Sequence, residues 1–62
     1  MKEQVIIEIN KAGFNTTSGI YSSLVDIVLD AIETVKTFGF DHWESQTTTG
    51  AKIKAIVKQL SA

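Results

Sequence analysis

Apolar residues recur along this chain at helical spacing, and glycines break the recurrence into three stretches. Between Ser18 and Phe38, a turn of 3.6 residues places Ile20, Leu24, Ile27, Val28, Ala31, Val35 and Phe38 on one broad stripe. Tyr21, Val25 and Ile32 widen the stripe, and Leu29 lies further round. Ser22, Ser23, Asp26, Asp30, Glu33 and Thr37 fill the rest of the circumference. An apolar arc this wide fits a helix covered on more than one side. Thr17 or Ser18 is the expected N-cap.

The stretch from Lys2 to Ala12 is more ambiguous. Val5, Ile6, Ile9 and Ala12 share a helical stripe that leaves Ile7 outside, whereas a strand would put Val5, Ile7 and Ile9 on one face. The stop after it favours helix and leaves a strand over residues 4–10 as the alternative. In Ile9-Asn10-Lys11-Ala12-Gly13-Phe14, Gly13 can take the left-handed conformation and let Phe14 return onto Ile9. Val35-Lys36-Thr37-Phe38-Gly39-Phe40 has the same grammar, with Phe40 returning onto Val35. Each stop carries a lysine in the last turn, where the helix dipole favours it. Phe40–Thr49 is expected to be a connector, and a last helix from about Gly50 to Leu60 presents Ile53, Ile56, Val57 and Leu60, with Thr48 or Thr49 as its cap.

The expected fold is therefore all-α: a compact domain of three helices, about 2–12, 18–38 and 50–60, filling residues 1–62. A chain of 62 residues lies near the lower limit for folding alone and buries only about 60% of the surface its unfolded form exposes. Met, Val, Ile, Leu, Phe, Tyr and Trp make up 22 of those residues, more than three short helices readily hide. Self-association or a stable protein partner is the expected remedy, since the absence of cysteine removes disulfides and thiolate zinc sites. A reducing, cytoplasmic setting fits that composition. No stretch is apolar for the length of a membrane span, and no signal-peptide pattern opens the chain.

Net charge is −1, and the basic residues are all lysine. Without arginine, the usual fork for phosphate and guanine is missing, which counts against specific nucleic-acid recognition. Lys52, Lys54 and Lys58 of the last helix remain the only candidate footprint. His42, beside Asp41 and Glu44, is the sole histidine and has no second cluster to complete a coordination shell, so no metal or cofactor is expected. Thr47-Thr48-Thr49-Gly50-Ala51-Lys52 lacks the first glycine and the Gly-Lys-Ser/Thr ending of a phosphate loop. No serine or threonine has a base positioned beside it by a third group, so an enzyme is not expected. Ribbon-helix-helix repressors and acyl carrier proteins fail on their motifs: the basic strand residues of the first and the Asp-Ser-Leu attachment site of the second are missing.

What remains is surface. Asp26, Asp30 and Glu33 follow at i, i+4 and i+7, an exposed ridge that could dock a basic partner or pair internally with Lys52, Lys54 or Lys58. Phe38, Phe40 and Trp43 crowd the stop of the second helix, either closing the bundle or forming a binding hot spot. The expected class is a small non-enzymatic protein-binding module (a regulator, inhibitor or adaptor of the kind common in phages and mobile elements). Its candidate contact residues are Asp26, Asp30, Glu33, Phe40 and Trp43.

Overall fold

The computed structural model describes residues 1–62, and its helices are α1 (Lys2–Lys11), α2 (Leu24–Phe38), α3 (Phe40–Gln46) and α4 (Ala51–Ser61), with no strand. The helical reading of the first stretch holds. Val5 and Ile9 are fully buried, Ile6 is half-buried, and Ile7, outside the stripe, is exposed. α1 ends as its sequence dictates. Gly13 has φ +101°, its N–H donates to Asn10 O at 3.0 Å, and the Phe14 N–H reaches Ile9 O at 3.2 Å, the paired bonds of a Schellman stop.

The second helix differs from the expectation at its start. It begins at Leu24, not Ser18, and neither Thr17 nor Ser18 caps it; Ser23 occupies the cap position without a side-chain bond. Residues 15–23 instead form consecutive turns, with N–H groups of Ser18, Tyr21 and Leu24 each bonding the carbonyl three residues back at 3.1 Å. The Asn15 carboxamide oxygen accepts the Thr17 N–H (3.0 Å) and hydroxyl (2.6 Å), while Ser18 Oγ accepts the Ile20 N–H (3.3 Å). Short polar side chains that bond nearby backbone compete with a helix, and Gly19 adds an entropic cost of about 1 kcal/mol relative to alanine.

The buried stripe of α2 also differs from the expected one. Val28 and Ala31 of the expected stripe are buried, and Val25 and Ile32, expected only at its edge, are buried with them. Ile20, Ile27 and Phe38, read as core, are 79%, 41% and 65% exposed.

The expected connector contains a fourth helix. Gly39 stands at φ 97°, ψ 157°, a conformation essentially restricted to glycine, rather than in the left-handed helical region of a Schellman stop. Its N–H completes the last bond of α2 to Val35 O (2.8 Å), and its carbonyl accepts the Trp43 N–H (3.3 Å), opening α3. One residue thus ends one helix and starts the next. A helix as short as α3 is marginal by itself; here Trp43 anchors it in the core, with the half-buried Phe40 ring 5.6 Å away.

α4 contributes Ile53, Ile56 and Val57 to the core as expected, but Gly50, not Thr48 or Thr49, is its cap residue, and no side chain caps it. α2 is the hub, packed against α1, α3 and α4. The core formed between them is wholly apolar.

Candidate protein-binding surface

With its buried face turned toward α1, α3 and α4, α2 presents Asp26, Asp30 and Glu33 outward, all exposed. The internal pairing with α4 lysines does not form: the chain's ion pair is Lys11 with Glu8, 3.8 Å apart. The hydroxyls of Thr34 and Thr37 turn back onto the carbonyls of Asp30 and Glu33, each at 3.1 Å. The ridge is therefore a row of unpaired carboxylates about one turn apart, an arrangement that costs a few tenths of a kcal/mol per pair until a cation approaches.

Apolar side chains border that row. At 3.6 residues per turn, Ile27, Thr34 and Phe38 line one margin. The exposed Phe38 ring rests on His42, with centroids 4.9 Å apart. On the other margin Met1, Leu29 and Ile32 join Asp30, Glu33 and Lys36 around a shallow groove of about 420 Å³. The outer face of α2 is thus acidic along its middle, with Ile27 and Phe38 exposed on one side and the half-buried Leu29 and exposed Lys36 on the other.

Of the expected contact residues, the structure brings Asp26, Asp30 and Glu33 together on this face and places Phe40 and Trp43 elsewhere. Trp43 is only 8% exposed. The Phe40 ring is 5.6 Å from Trp43, and the ammonium of Lys58 stands 5.5 Å from its centroid. Both aromatic residues close the end of the bundle. Ile27 and Phe38 take their place on the surface. Their signal in the sequence was the width of the apolar arc, but the arc alone does not say which edge stays outside.

His42 is exposed on α3 with Asp41 and Glu44. No group of three or more His, Cys, Asp or Glu side chains stands close enough to hold a metal ion. The α4 lysines are spread over two sides of their helix. Lys52 donates to Ala12 O (3.4 Å) and sits 5.9 Å from the Phe14 ring centroid, while Lys58 covers Phe40. No helix is long and apolar enough to cross a membrane. No protein-family model, curated protein or solved structure matches the chain.

Proposed function

We propose that this chain is a non-enzymatic protein-binding module, acting in the cytoplasm as a regulator, inhibitor or adaptor through the outer face of α2. The observation that carries this reading is the combination of Asp26, Asp30 and Glu33, exposed and unpaired, with the exposed Ile27 and Phe38 alongside them. Apolar contacts supply affinity on burial, and unpaired charges select the partner by complementarity. The matching surface is an amphipathic helix or edge with lysine or arginine opposite the carboxylates and aliphatic residues opposite Ile27 and Phe38.

Self-association belongs to the same reading. Met1, Ile7, Ile20, Ile27 and Phe38 are all large, apolar and exposed. An antiparallel pair of α2 helices would set Ile27 of one copy against Phe38 of the other, while the carboxylate rows repel.

Nucleic-acid binding through α4 is the competing function, and less supports it. Lys54 and Lys58 follow one turn apart, but Lys52 stands on a different side of α4, and Lys52 and Lys58 lie over aromatic rings of their own chain, so the three do not form one phosphate-facing row.

The test is affinity capture from an extract of the chain's natural source, with wild type and an Asp30→Lys, Phe38→Ser double variant as parallel baits. Both substituted positions are exposed, so the variant is expected to keep its fold. A protein retained by wild type and lost by the variant supports the proposal. Equal capture by both baits, or recovery of nucleic acid alone, contradicts it.

A further inference from the structure

A second apolar surface lies away from the outer face of α2. Phe14, Ile20, Tyr21, Leu24 and Ile53 form the walls of a groove of about 580 Å³ where the turns of residues 15–23 and the start of α2 meet the start of α4. Its volume is within the range of small-molecule sites, roughly 300–1,000 Å³. Phe14 and Tyr21 meet edge to face, centroids 5.3 Å apart. Ile20, 79% exposed, stands at the rim with no apolar neighbour covering it.

The groove has one charge. Its lining includes Lys52 and no carboxylate, although the chain as a whole is slightly acidic. Lys52 donates one bond, to Ala12 O at 3.4 Å. An ammonium has three donors, so two remain for an anion. Gly50 and Ala51 bring the positive end of α4 to the same rim, adding potential of the same sign.

We infer that this groove binds a long-chain carboxylate, its alkyl chain along Phe14, Ile20, Leu24 and Ile53 and its head group on the Lys52 ammonium. The charge decides the ligand class. Apolar walls accept any alkyl chain, but a cationic head would face Lys52 without a counter-charge, and a neutral head would forgo the charge-assisted bond. Covering Ile20 removes from water an isoleucine that the fold leaves almost fully solvated. The inference does not rest on the proposal for α2, because no residue lining this groove belongs to the acidic outer face of α2.

Dodecanoate below its aggregation concentration is the probe, titrated into ¹⁵N-labelled protein and followed by amide shifts and calorimetry. Saturable one-to-one binding is expected, with shifts concentrated at Phe14, Ile20, Tyr21, Leu24, Lys52 and Ile53. Dodecyltrimethylammonium should not saturate the site. Lys52→Gln should weaken dodecanoate about tenfold, the loss expected for one charge-assisted hydrogen bond, and Lys52→Arg should retain binding. Ile20→Ser provides a variant whose fold is not at stake, and it should weaken binding severalfold. Shifts centred on Ile27 and Phe38, equal affinity for the cationic amphiphile, or unchanged affinity in both Lys52→Gln and Ile20→Ser would each overturn the inference.

Discussion

Gly39 does two jobs with one unusual backbone conformation, and that makes it the most sensitive surface position in the chain. At φ 97°, ψ 157°, a side chain meets no neighbouring atom within 4 Å, so the penalty of adding one is conformational rather than steric crowding. Gly39→Ala is expected to cost about 1–3 kcal/mol. For a domain of this size each kcal/mol moves the melting temperature by roughly 4–8 °C, so a thermal melt reads the effect directly. Gly13→Ala, at φ +101° in the Schellman stop, should cost about 1–2 kcal/mol. Gly50 is different. It caps α4 at φ −73°, ψ 170°, an ordinary extended conformation, with open space where a Cβ would stand and no side-chain cap bond. Gly50→Asp is expected to raise stability by about 0.5–1 kcal/mol, by supplying a cap and a negative charge at the positive end of the helix. A lower melting temperature for that variant would show that the start of α4 is misplaced. The positive φ at both Gly13 and Gly39 was legible because a Gly-Phe pair after a lysine-bearing turn is a local backbone signal. The difference between them was not: whether the chain leaves the helix or starts another depends on Trp43 finding the core.

At the scale of elements, α1 and α4 were legible nearly to their ends, because their apolar stripes are narrow and their stops are local. α2 was legible in kind but not in its start or its rotation. Val28 and Ala31 of the expected stripe are buried, but a stripe wide enough to span half a helix does not say which edge joins them, and the tertiary contacts chose Val25 and Ile32. The mutational contrast follows. Ile32→Ala should cost about 2–5 kcal/mol, whereas Ile20→Ser, outside any helix and exposed, should stay within about 0.5 kcal/mol of wild type. Chemical denaturation of the two variants checks this; an equal loss in both would restore the helix from Ser18. α3 was read as connector because seven residues of Phe-Asp-His-Trp-Glu-Ser-Gln carry no periodic stripe. Its one buried residue is Trp43, so Trp43→Ala is expected to cost about 3–5 kcal/mol and to abolish the cooperative melt of so small a domain. Of the candidate contact residues, the carboxylates were legible as surface from their i, i+4, i+7 spacing. Phe40 and Trp43 were not separable from Phe38, since three aromatics in six residues give no indication of which points outward.

For the whole molecule, ten buried residues form the core and five large apolar residues remain outside it. Salt separates the two kinds of association open to the outer face of α2. Pairing of two copies brings carboxylate rows together, so self-association should strengthen as salt screens them; binding of a basic partner should weaken. Sedimentation of the purified chain across a dilution series at low and high salt reads the first effect, and association that falls with salt would place the self-contact on a different surface. The central claim, that the chain works by binding protein through this face, is tested most directly by photo-crosslinking in extract of its natural source. The crosslinking amino acid benzoylphenylalanine is placed at Phe38, and separately at Ile7 on α1 as the comparison. Both positions are exposed, by 65% and 50%, so local accessibility is similar. A discrete crosslinked protein from position 38, absent from position 7 and lost when Asp26, Asp30 and Glu33 are changed to their amides, is the expected result. Crosslinks of equal yield from both positions, or from position 7 alone, would contradict the account.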